Sequence, residues 1–204
     1  MKDRVAVVQY NAGNIRSVVC ALNRIGVDPI VTDDPGELYR AERVIFPGVG
    51  EAKSAMDYLN ARGLSSVLRE LTQPFLGICL GLQLMCRHSE EHDTPALGMF
   101  SEDIRRFPPE DKVPHMGWNR ITGLGSPLFA GIDEGSYVYF VHSYYASPGP
   151  DTIAASHYIR TFSAALGRKN FFGTQFHPEK SGAVGQRLLY NFLNLEIETD
   201  TNKD

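Results

Sequence analysis

Through the first half of the chain, short apolar runs alternate with stretches whose apolar residues recur every three or four positions. Val5 to Tyr10 reads as a buried strand, and Ile15, Val18, Val19, Leu22 and Ile25, closed by Gly26, fall on one face of a helix. Asp28 to Thr32 and Val44 to Phe46 predict two more strands, Glu51 to about Leu71 one or two helices, and Pro74 to Ile78 a fourth strand. This alternation predicts an α/β fold, with a mostly parallel central sheet flanked by helices. In such sheets the working residues collect beyond the carboxyl ends of the strands, so the loops after Tyr10, Phe46 and Ile78 share one edge.

From about Leu97 the pattern shortens to strand-like pieces separated by Gly, Pro, Asp and Ser: Ile104 to Phe107, Tyr137 to Val141, Ile153 to Tyr158 and Phe171 to Phe176. This half is read as a smaller, mainly antiparallel β portion. A final helix runs from Gly185 to Leu195, carrying Leu188, Leu189, Phe192 and Leu193. The chain therefore reads as one domain over residues 1–196 with a polar, frayed tail over 197–204.

Composition narrows the class without changing that picture. A chain of 204 residues with 43% hydrophobic and 22% charged residues suits one soluble globular domain. A net charge of -4 argues against nucleic acid or an anionic membrane as the main partner. Three cysteines fit neither a disulfide framework nor a zinc signature, which suits the cytoplasm; Cys20 and Cys86 are expected to pack inside helices. The start, Met1-Lys2-Asp3-Arg4 followed by only Val5 to Val8, is too short for a signal-peptide core.

The candidate chemistry centres on Gly77-Ile78-Cys79-Leu80-Gly81-Leu82-Gln83, a buried strand turning into a helix with cysteine at the apex. The spacing matches a nucleophile elbow with sulfur in place of the hydroxyl, although a structural cysteine between two packing glycines has the same local form. A thiol nucleophile needs a base and a group to orient it. Of six histidines, His177 fits best: it follows a strand, Pro178 stiffens its loop, and Glu179 can reach its far ring nitrogen. A surface His-Pro-Glu turn is the alternative. His88 and His92 lie in a polar segment read as a solvated face, His157 is read as structural, and His115 and His142 can line a site or an interface. Pro47-Gly48-Val49-Gly50 lacks the ending of a phosphate-binding loop but can supply a backbone N–H to an oxyanion, as can Leu80.

Taken together and in this order, the Pro47, Cys79 and His177 segments resemble the class I, triad-type glutamine amidotransferases. That resemblance implies Cys79 as nucleophile, His177 as base and acid, Glu179 as its orienting carboxylate, and Val49 and Leu80 as oxyanion donors. It also implies that Gly48, Gln83 and the backbone of His142, Ser143 and Tyr144 hold the substrate glutamine, that the peptide near Val49 must reorient, and that no metal or cofactor takes part. Tyr10 to Ser17, Pro114-His115-Met116-Gly117-Trp118-Asn119 and His142 to Tyr145 resemble, more narrowly, the glutaminase subunits of imidazole glycerol phosphate synthases. In those, Asn11, Asn14, Trp118 and Lys180 would lie at the contact with a (β/α)8-barrel cyclase, forming a heterodimer. Asn11-Ala12 and Gly182 depart from the usual residues of that group. Glutaminase subunits of the pyridoxal phosphate or purine pathways, cysteine peptidases or γ-glutamyl hydrolases, and a non-catalytic regulatory module of the same fold are the competing readings.

Overall fold

Strands that are covered on both faces carry apolar side chains on both, as Val5–Val8 and Phe75–Ile78 do. In the computed structural model, which describes residues 4–11 and 13–197, the chain runs β1 (Val5–Val8), α1 (Ile15–Arg24), β2 (Ile30–Thr32), α2 (Pro35–Arg40) and β3 (Arg43–Phe46). There follow α3 (Ala52–Ala61), α4 (Leu64–Glu70), β4 (Phe75–Ile78) and α5 (Leu80–Met85). Ala12 and the tail from residue 198 lie outside the described residues. The four strands pair in parallel in the order β2-β1-β3-β4, and β1 and β4 are buried at every residue. Helix α2 has no counterpart in the sequence reading, since six residues give too little periodicity. Its Asp34 side chain caps the Glu37 N–H at 2.8 Å, and Pro35 takes the first turn.

The second half contributes β5 (His88–Ser89), β6 (Thr94–Pro95), β7 (Asp103–Arg106), β8 (His115–Arg120), β9 (Tyr137–His142) and β10 (Tyr144–Ala146). Strands β11 (Thr152–His157), β12 (Thr161–Arg168) and β13 (Phe171–Thr174) precede the closing helix α6 (Gly182–Leu193). This half is β-rich, but it does not stand apart: β13 pairs in parallel with β4, and β12 and β11 extend the same sheet antiparallel to seven strands. Among the described residues, only β10-β7-β5-β6 and the β8–β9 ribbon form separate sheets.

Strand ends differ from the reading where the chain must turn. Tyr10 leaves β1 to bond the Pro47 carbonyl at 2.6 Å, Phe107 leaves β7, and Gln175 and Phe176 leave β13 to carry the loop toward His177. Cys20 is exposed rather than packed: α1 buries Val18, Ala21 and Leu22, and two positions along a helix turns Cys20 away from that face. Cys86 is buried just past α5. Among the described residues, no helix is long and apolar enough to cross a membrane.

Candidate active site

Strand β4 ends at the centre of the sheet, and its connection to α5 is a single residue, Cys79. Its backbone sits at φ 53° and ψ −107°, a conformation costly for a residue with a side chain, and its N–H donates to the Thr174 carbonyl at 2.7 Å. The turn closes only because Gly81 lacks a side chain; a Cβ there would lie 1.9 Å from the Phe46 carbonyl oxygen.

The loop after β13 brings the histidine to this elbow. His177 Nδ1 meets Glu179 Oε1 at 2.7 Å, both side chains fully buried, and Asn14 Nδ2 donates to the same oxygen at 2.6 Å. The loop is laced to β9: the His177 N–H donates to the Tyr139 carbonyl, and the Tyr139 N–H to Ser181 Oγ. Burial by itself would push the His177 imidazole down. The Cys79 sulfur, followed by Glu179, outweighs it and lifts the ring to about 10, although Nε2 has no hydrogen bond in this arrangement. Burial raises Glu179, but His177 and Asn14 overcome it and hold the carboxyl below its ordinary range. The structure thus brings Cys79 to the buried His177–Glu179 pair.

That electrostatic pair makes a stability prediction whose sign is set by the two shifts. His177 is raised above 6.5, so its contribution is complete below pH 6.5 and is lost as the pH rises through about 10. Glu179 is depressed, so its contribution is present above pH 4.5 and is lost as the pH falls through its lower folded value. The stability penalty of Glu179→Gln in denaturant unfolding is therefore widest between pH 4.5 and 6.5 and shrinks on both sides. A penalty independent of pH would contradict the pairing.

A cleft of about 360 Å³ opens beside the sulfur, bounded by Val49 and Gly50 on one side and Val141 to Tyr144 on the other. Gln83 lies in its floor and donates to the Tyr144 carbonyl and to Gln175 Oε1, each at 3.0 Å. Gln175 Nε2 reaches Cys79 Sγ at 3.6 Å, so a buried pair of amides links the elbow to the far wall. Of the expected oxyanion donors, the Leu80 N–H is occupied: the Gly48 carbonyl accepts from it at 3.3 Å. The Val49 carbonyl in turn accepts from the Gly13 N–H at 3.3 Å.

The remaining expected positions fall in two places. Trp118 lies exposed on the outer face of the β8–β9 ribbon with its ring 6.1 Å from Tyr139, and Lys180 Nζ is 5.9 Å from the same Tyr139 ring. Asn14 is turned inward onto Glu179, whereas Asn11 is tied to Ser54 at the start of α3. Two residues at the site, one behind the cleft and one on its wall, escape a reading of the sequence. Gln175 is a polar residue at the end of an apolar strand, two places before His177, which is a usable signal. Glu91 lies in a polar segment read as solvated, yet it lines the cleft and accepts from the Ala52 N–H at 2.7 Å.

A strained strand-to-helix cysteine facing a buried His–Glu pair defines a class, and the comparisons name it. Residues 7–195 match the family model of the class-I glutamine amidotransferases. The "Imidazole glycerol phosphate synthase subunit HisH" of Bacteroides fragilis is 56% identical over 195 residues, covering 94% of this chain and 100% of that protein. Its namesake from Yersinia pseudotuberculosis is 43% identical over 194 residues, covering 94% and 99%. Among solved structures, PurLQS from Thermotoga maritima shares the fold at a TM-score of 0.71 and 19% identity, covering 95% of this chain and 99% of that one. A glutamine amidotransferase from Methylobacillus flagellatus does so at 0.64 and 13%, covering 100% and 99%. The chain is an enzyme of the class-I glutamine amidotransferase family and belongs, within it, to the HisH subunits of imidazole glycerol phosphate synthase.

Proposed function

We propose that this chain hydrolyses the side-chain amide of glutamine at Cys79 and passes the ammonia to a (β/α)8-barrel cyclase subunit in the cytoplasm. The cyclase then forms imidazole glycerol phosphate and aminoimidazole carboxamide ribotide in histidine biosynthesis. The observation that carries the reading is the Cys79 elbow facing the buried His177–Glu179 pair at the edge of a cleft sized for a small amino acid. The Cys79 thiolate attacks the amide carbon, and the His177 imidazolium gives its proton to the departing ammonia, leaving a γ-glutamyl thioester. Water then attacks the thioester, His177 takes its proton, and glutamate leaves as the thiolate is restored. Glu179, aligned by Asn14, keeps the imidazole in the orientation both steps need.

Glu91 is the one acidic side chain among the residues lining the cleft and is suited to the α-ammonium group of glutamine. Gln83, Gly48 and the backbone at Ser143 surround the rest of the substrate. The cyclase is expected on the face where Met116 is 62% and Trp118 55% exposed, next to Lys180; Asn14 there reaches the triad directly.

The engaged Leu80 N–H supports control by that partner, because an oxyanion cannot use a donor already held by Gly48. Missing one such donor costs about 10²- to 10³-fold in rate. Glutamate release by the free chain is therefore expected to run roughly 100-fold or more below that of the complex with the cyclase. Equal rates with and without the partner would refute the switch.

A further inference from the structure

On the inner face of the ribbon, behind Met116 and Trp118, two buried histidines that the hydrolysis mechanism does not use form a directed chain. Asn119 Nδ2 lies 3.4 Å from His115 Nε2, His115 Nδ1 lies 3.1 Å from His142 Nε2, and His142 Nδ1 lies 2.8 Å from the Tyr144 carbonyl. The carbonyl can only accept, so His142 must carry its proton on Nδ1. Its Nε2 is then an acceptor, which puts the His115 proton on Nδ1 and leaves His115 Nε2 to accept from the Asn119 amide. Every bond points the same way, toward Tyr144.

Both rings are held neutral, as this pattern requires. Burial drives His115 down to about 4 and His142 to about 3, with His177 among the charges that keep His142 uncharged. Packing fixes the His115 ring plane: it stacks on Tyr158 at 4.2 Å and on Phe140 at 5.1 Å. The end of the chain is a functional atom. The Tyr144 carbonyl also accepts from Gln83, and Tyr144 follows Ser143, where the backbone breaks between β9 and β10 and forms the cleft wall. The other side of that break is pinned by the Phe107 N–H on the Ser143 carbonyl at 3.0 Å.

We propose that His115 is a positioning residue of the glutaminase: through His142 it sets the Tyr144 carbonyl, and so the shape of the Ser143 wall against which glutamine binds. This rests on the function proposed above. Without the His115 donor, the His142 ring is free to move its proton to Nε2 and turn away, and the carbonyl keeps only Gln83.

The test compares His115→Phe, which keeps the ring stack and deletes the donor, with His115→Asn, whose amide can donate from near the Nδ1 position. In complex with the cyclase, His115→Phe should lower kcat/KM for glutamine by roughly tenfold, the worth of one hydrogen bond, mainly through KM. His115→Asn should recover most of this, and ammonia-driven synthesis should be unchanged in both. No loss in His115→Phe, or an equal loss in both variants, overturns the proposal. Imidazole ¹⁵N NMR on the native protein gives an answer that needs no variant to fold: His142 should carry its proton on Nδ1, and a proton on Nε2 overturns the relay. The NMR result does not depend on catalysis, so it separates failure of the relay from failure of the function. If Cys79→Ala still hydrolysed glutamine, the function would fall while the tautomer could still be read.

Discussion

Cys79→Ala is expected to lower glutamine-dependent turnover by roughly 10⁴- to 10⁶-fold, the scale on which removal of a nucleophile acts in triad enzymes. Ammonia-driven synthesis by the assembled complex should be unaffected. The two readouts separate because the substitution touches only one half-reaction. Alanine and cysteine both carry a Cβ, so the strained backbone at φ 53° is no worse for the variant, and the elbow should fold as it does now. The sulfur is also the main charge lifting His177 against its burial, so the imidazole should titrate below about 10 in the variant. Glutamate release and cyclase turnover, assayed separately with glutamine and with ammonia, check the first expectation; loss of both activities together would contradict it.

Gly81→Ala tests the elbow itself. The added Cβ would sit 1.9 Å from the Phe46 carbonyl oxygen and 3.0 Å from its carbon. Neither can retreat easily, because β3 is paired on both sides, with β1 and with β4. The clash falls on backbone in the sheet centre, where overpacking is least tolerated, and a destabilisation of about 3 kcal/mol or more is expected. Gly125→Ala is the control: its nearest contact would be an ordinary 3.8 Å, and the expected change is within about 0.5 kcal/mol. Denaturant unfolding of both variants decides the matter, and equal stability would show that the elbow relaxes at little cost.

The parts of this molecule legible in its sequence are those whose signal is local. Glycines on either side of Cys79, a histidine directly after a strand, and a carboxylate two residues on are short-range patterns, and the alternation of strand and helix follows from periodicity. What escapes depends on partners distant in the chain. Strand β12 runs through Ser163-Ala164-Ala165, weak strand formers that pair because β11 and β13 flank them. Strand β8 hides behind Gly117, a poor strand former, yet it pairs with β9 at every residue from His115 to Arg120. Glu91 belongs to the site only because the segment after β5 folds back onto the start of α3, where the Ala52 N–H holds it. The engagement of Leu80 by Gly48 is a backbone orientation that no residue type signals, and it is where the proposed partner control acts.

The central claim is that Cys79 carries the glutamyl group during turnover. Rapid acid quench of the cyclase complex with glutamine, followed by mass spectrometry of the peptide bearing Cys79, tests it most directly. A γ-glutamyl adduct on Cys79 that forms and decays with glutamate release, and is absent from Cys79→Ala, is the predicted result. Glutamate release at an undiminished rate by Cys79→Ala, with no adduct on the native cysteine, would contradict it.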